Sequence, residues 1–203
     1  SVASAELLFE ENFESENWKD SWNGSDKAVV DENLPLSGDK SLYWNTSLSI
    51  SEKTGASAGN YVFEMWFYDT ATEEKRNPGG NLFFGAKYNE GGMATVGIKS
   101  NTYQGKYIYG HVLKGEDVNS TGVNRTNGWH QLIVDMTAAP KAVYYIDGVK
   151  VKEKSIKTAG TTKANGEPST KIAILPVNKI IRDSVGSFSC NNFWICAMHI
   201  IFN

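Results

Sequence analysis

The stretch Gly128–Val151, GWHQLIVDMTAAPKAVYYIDGVKV, spells out two strands and two turns. Leu132, Val134 and Met136 alternate with Gln131, Ile133 and Asp135, the period of two that puts one face of a strand on a core. TAAPK interrupts the pattern, because Pro140 has no N–H to give to a ladder. The run Val143 to Ile146 then meets Asp147-Gly148 and resumes as Val149-Lys150-Val151. Asp-Gly between apolar runs predicts a type I′ turn, whose two central residues both need positive φ. The stretch therefore belongs to an antiparallel β protein.

Outward from this hairpin the chain reads the same way. Candidate strands are ELLFEENF, KSLYWNTSLSI, NYVFEMWFYDT, GNLFFGAKY, ATVGIKS, GKYIYGHVLK, HQLIVDM, AVYYID, VKVKEK, TKIAILPV and NNFWICAMHIIF. Gly-, Asn- and Asp-rich segments separate them, and TATEEKR has the length for one short helix. Some eleven short strands with short loops predict an all-β, two-sheet antiparallel sandwich of jelly-roll type. No internal repeat or disordered linker stands out, so residues 1–203 are expected to form a single domain.

Bulk properties exclude several classes of function. A net charge of −3 and the lack of a basic block argue against nucleic acid or an anionic membrane as partner. No apolar run approaches the roughly 20 residues that span a bilayer. The start, SVASAELLFEE, lacks the basic and long apolar regions of a signal peptide; it is the cut end of a secreted chain or a domain excised from a larger one. Cys190 and Cys196 bridge only across a bend, because six residues of straight strand span about 20 Å. Two reduced thiols are the plainer alternative. The sequons at Asn23, Asn45, Asn119 and Asn124 matter only in a eukaryotic secretory chain.

The hairpin stretch, in which Gly-Trp leads one strand and an aromatic strand ends in Asp-Gly, resembles the concanavalin A-like and laminin-G-like jelly-roll superfamily. LFEENFES, LSGDKSLYW and the closing NFWICAMHIIF are similar to secreted carbohydrate-binding modules of that group. The resemblance implies the concanavalin A-like sandwich. It also brings in lectins, binding modules, glucanases and polysaccharide lyases, so function has to be argued from the site.

Candidate sites follow from strand faces. If Phe63, Met65 and Phe67 point inward, then Glu64, Trp66 and Tyr68 share the outer face, an arrangement favoured because burying Glu64 unpaired is costly. Aromatic rings beside a carboxylate suit a sugar: rings take its C–H face, the carboxylate takes its hydroxyls. Burial of Trp66 and Tyr68 under a loop is the alternative. With Ile108 and Val112 inward, Tyr107, Tyr109 and His111 form a second outer line, or a cross-strand ladder that stabilises the sheet. The superfamily resemblance implies that these two strands are neighbours on one sheet; the stretch GAKYNEGG adds Lys87 as a further polar contact. Trp18, Trp22 and Trp44 lie nearer loops, the alternative lining for a site.

The acidic cluster Glu10, Glu11 and Glu14 lies where the resemblance implies a structural Ca²⁺, with Glu10 and Asn12 as ligands; solvated acidic residues are the plain alternative. The aspartate that the related pattern carries in its last strand is absent from Ile195-Cys196-Ala197. The Glu-x-Asp-x-x-Glu run of glucanases is missing, Glu64 and Asp69 fall on opposite faces, and no zinc spacing or nucleophile elbow occurs. The expectation is a module that is not an enzyme. It binds a polysaccharide or oligosaccharide of β-glucan, xyloglucan, xylan or mannan type, as a monomer tethered to a larger secreted or cell-surface protein, without nucleic acid or membrane insertion. A polysaccharide lyase and a laminin-G-like adhesion domain are the alternatives.

Overall fold

In the computed structural model, Asp147 has φ 51° and Gly148 φ 75°, as the Asp-Gly turn requires. The structure describes residues 6–23, 29–32, 34–44, 50–52, 61–76, 81–89, 92–99, 103, 105–113, 117–138, 141–155, 171–175 and 193–202. The turn joins β12 (Lys141–Ile146) to β13 (Val149–Ser155), and β12 pairs in turn with β11 (Gly128–Ala138). The remaining strands among the described residues are β1 (Glu6–Glu11), β2 (Trp22–Asn23), β3 (Val29–Asp31), β4 (Ser41–Trp44), β5 (Ile50–Glu52), β6 (Tyr61–Asp69), β7 (Leu82–Asn89), β8 (Gly92–Ile98), β9 (Lys106–Leu113), β10 (Asp117–Asn124), β14 (Lys171–Leu175) and β15 (Phe193–Phe202). Trp18–Ser21 makes one turn of 3-10 helix. No helix among the described residues is long and apolar enough to cross a membrane.

The strands form two antiparallel sheets, ordered β13-β12-β11-β6-β15-β4-β3, with β1 also on β15, and β10-β9-β8-β7-β14-β5-β2. This is the two-sheet sandwich that the alternation predicts. The short helix expected at TATEEKR does not form. A turn is closed there by Thr72 N–H on the Lys75 carbonyl (3.0 Å) and by the Thr72 hydroxyl accepting from Lys75 N–H (3.0 Å), the side-chain competition typical of threonine.

The core lies between the sheets. Phe63, Met65 and Phe67 of β6 and Leu132, Val134 and Met136 of β11 meet Leu82 and Phe84 of β7 and Val96 and Ile98 of β8. Each such side chain, fully buried, contributes about 1.5–3 kcal/mol. β7 and β8 approach so closely that a Cβ on Gly85 would sit 1.9 Å from the Ala94 carbonyl oxygen, a backbone atom with no room to retreat.

One polar cluster is sealed inside. Asp69, at the end of β6, is fully buried and takes two bonds from Arg125, Nη2 to Oδ1 at 2.8 Å and Nε to Oδ2 at 2.9 Å. Tyr107 O–H donates to Oδ2 (3.0 Å) and Ala71 N–H to Oδ1 (3.0 Å). Burial, then the charge of Asp69 and its hydrogen bond, push the Tyr107 hydroxyl well above the usual phenol range. It stays protonated and donates. Next to it His130 is held by Asp147 Oδ2 on Nδ1 (2.8 Å) and by the Thr126 carbonyl at Nε2 (2.9 Å). Every group here has a partner, which is what makes its burial tolerable.

Candidate functional site

The outer face of β6 carries the expected trio. Phe63, Met65 and Phe67 are buried, while Glu64, Trp66 and Tyr68 alternate with them half-buried. Glu64 Oε1 accepts from the Trp66 indole N–H (2.9 Å) and from the Gln131 amide N–H (2.9 Å). Gln131 comes from β11, which pairs with β6 so that Gln131 faces Trp66 and Trp129 faces Tyr68. The Tyr68 and Trp129 rings meet edge to face, centroids 5.6 Å apart at 80°. Tyr68 O–H donates to Asn127 Oδ1 (3.1 Å). On the other side β15 sets His199 opposite Glu64 in register.

Gln131 and Trp129 belong to this cluster and were not among the expected site residues. Their signal was present, since both occupy odd positions of β11 opposite its buried even ones. Gln131 is further fixed by the hairpin turn: Asp147 Oδ1 accepts Gln131 N–H (2.9 Å) and Asp147 N–H donates to the Gln131 carbonyl (2.9 Å). The arrangement is a carboxylate acceptor, held open by neutral N–H donors, at one end of an aromatic patch. Such a group can take a hydroxyl proton of a sugar or act as a base.

The second expected line does not join it. β9 lies in the other sheet, so Tyr107 and Tyr109 are not neighbours of Trp66 and Tyr68. Both turn toward the first sheet rather than to the surface. Tyr107 is fully buried on Asp69, and the Tyr109 ring lies 5.5 Å from that of Tyr144. Ile108, taken as the inward residue, is fully buried on the opposite face. Both faces of this strand are covered, so alternation groups the side chains without saying which group meets the other sheet. His111 is in β9 opposite Ala94 and Asp117, and Lys87 in β7 opposite Met93 and Lys171, so the sheet that carries them is not that of Glu64.

Of the loop tryptophans, Trp18 and Trp22 are in the core; the Trp44 side chain and Cys190 lie outside the described residues. Near the N-terminus Glu10 is exposed, opposite His199, and Asn12 Oδ1 accepts from Glu14 N–H (3.1 Å). The neighbouring carboxylates are taken up by N–H donors. Glu11 is buried on Phe13 N–H (2.7 Å) and the Trp22 indole (3.3 Å), and Glu14 Oε1 accepts from Asp39 and Lys40 N–H (2.9 Å each). Burial raises the Glu11 carboxyl above the usual range, against the pull of those donors. Among the described residues no group of three His, Cys, Asp or Glu side chains gathers to hold an ion.

No family model matches the sequence, and no curated protein matches it. Solved structures do match. An endo-β-1,4-glucuronan lyase from the fungus Trichoderma reesei aligns with a TM-score of 0.63 at 12% identity, over 98% of this chain and 96% of that one. This is the concanavalin A-like jelly-roll fold. A carbohydrate esterase of the Shiga toxin-encoding bacteriophage phi24B aligns at 0.62 with 12% identity, over 98% of this chain and all of the other. A laminarinase from Flavobacterium sp. UMI-01 aligns at 0.57 with 10% identity, again over 98% and 100%. The expectation that the chain is not an enzyme is overturned here: a lyase, an esterase and a laminarinase share its fold over nearly their whole length.

Proposed function

We propose that the chain is a polysaccharide-cleaving enzyme that receives its substrate on the outer face of β6, with Glu64 as the base. The observation that carries this reading is the half-buried Glu64 carboxylate, which accepts from two neutral donors, Trp66 and Gln131, beside an aromatic patch. Hydrogen bonds of this kind favour the ionised form, which is the form that accepts a proton.

The reaction favoured is β-elimination at a uronate, as in a polysaccharide lyase. Glu64 takes the C5 proton, the C4–O bond breaks with its electron pair on the departing oxygen, which takes a proton from water to become the new hydroxyl end, and a C4=C5 double bond is left on the other product. Two considerations support elimination over hydrolysis. The glucuronan lyase aligns with a TM-score of 0.63, against 0.57 for the laminarinase. In addition, Gln131 has a second N–H besides the one on Glu64, and a neutral amide donor suits a uronate carboxylate. A polymeric substrate of this kind places the site of action outside the cell, within a secreted or surface protein.

The test is incubation with polyuronates and, separately, with neutral β-glucans, following ultraviolet absorbance of unsaturated uronate and new reducing ends. Absorbance that grows on a polyuronate and is lost in Glu64→Gln is the expected result. Reducing ends without absorbance would replace elimination by hydrolysis. Neither signal on any polymer would remove the enzymatic reading.

A further inference from the structure

The registers of four adjacent strands bring aromatic residues into one row across the first sheet. Tyr43 of β4 pairs with Trp194 of β15, Trp194 with Tyr68 of β6, and Tyr68 with Trp129 of β11. At roughly 4.8 Å between strands the row is about 14 Å long, enough for two or three sugar units. It lies four residues along β6 from Glu64, on the order of 13 Å at about 3.4 Å per residue. A glycan that follows this row across the strands does not touch Glu64.

We infer that the Tyr43–Tyr68–Trp129 row is a second glycan-binding track, separate from the reacting centre, which holds an extended part of the same polysaccharide. The occupant follows from the row's chemistry. Aromatic residues recur in register from strand to strand, and Asn127, two residues before Trp129, carries the Tyr68 hydroxyl on its Oδ1 (3.1 Å) while its Nδ2 donates to the Asp69 carbonyl (3.3 Å). That bond and the edge-to-face contact with Trp129 fix the tilt of the Tyr68 ring, so a sugar meets a ring that loses little freedom on binding. Trp66 lies between Tyr68 and Glu64 on the outer face of β6, so a polymer that turns from the row along β6 reaches both. The inference rests on the proposed function only for its kinetic arm.

The test uses Trp129→Ala and Trp129→Phe, each first checked for an unchanged unfolding midpoint, on polymer and on short oligosaccharides. For Trp129→Ala the KM for polymer rises by about tenfold or more with kcat within about twofold, while the loss on oligosaccharides too short to span the row is smaller. Trp129→Phe, which keeps a ring, retains most of the polymer binding. Retardation of the protein in gels containing polysaccharide reads the same track without turnover, so it tests the row even if no cleavage occurs. Equal losses on short and long substrates would assign Trp129 to the reacting centre. Unchanged polymer binding in Trp129→Ala would overturn the inference.

Discussion

The two faces of β6 each carry a carboxylate, and they are treated in opposite ways. On the inner face Asp69 is fully buried, and a guanidinium, a phenol and a backbone N–H close around it. On the outer face Glu64 is half-buried and receives an amide and an indole. A charge sealed from water needs a counter-charge and a full set of donors. A half-buried carboxylate keeps part of its contact with water. The alternation of β6 thus puts a sealed carboxylate and the proposed site on opposite faces of one strand.

The contrast is sharpest under substitution. Asp69→Ala leaves the Arg125 guanidinium buried without its partner and is expected to cost about 3–5 kcal/mol, read as a lower urea midpoint. A loss below about 1 kcal/mol would mean that water reaches the cluster. Glu64→Gln is expected to leave the fold within about 1 kcal/mol of the wild type, because the new amide oxygen still accepts from Trp66 and Gln131, while turnover falls roughly 10²–10⁴-fold. If Glu64→Gln unfolds the protein, the two faces are not separated. Trp66→Ala is expected to weaken glycan affinity by roughly 2 kcal/mol or more, measured by calorimetry, and to leave the fold intact.

The smallest effect is a pH dependence at Glu11. Burial raises its carboxyl above the usual 4.5, so the folded state prefers the protonated form. Its contribution to stability is then full below 4.5 and is lost as pH rises through the raised value. The stability gap between wild type and Glu11→Gln, from urea midpoints across this range, should narrow with rising pH. A gap that widens would show that the Phe13 and Trp22 donors outweigh burial.

Sequence patterns reached part of this arrangement. Asp147-Gly148 and the alternation in β11 and β12 were enough for the sandwich, because turn chemistry and period two act locally. The outer face of β6 was readable for one reason: Glu64 could not go inside unpaired. β9 offered no such discriminator. Neither Tyr107 and Tyr109 nor Ile108 bears a formal charge at neutral pH, and the partner that draws Tyr107 inward, Asp69, is 38 residues away. Gln131 escaped notice for a related reason, since its bond to Glu64 spans 67 residues of chain. Contacts of that range are fixed by strand order, which local pattern does not reveal.

The most direct measurement is mapping of an oligosaccharide by amide and indole N–H chemical shifts. Binding on the outer face of β6 moves the indole N–H signals of Trp66 and Trp129 and the Gln131 side-chain amide, and leaves the buried Trp18 and Trp22 in place. Shifts in the second sheet with the Trp66 and Trp129 indoles and the Gln131 amide unmoved would place the site elsewhere and contradict the assignment to Glu64.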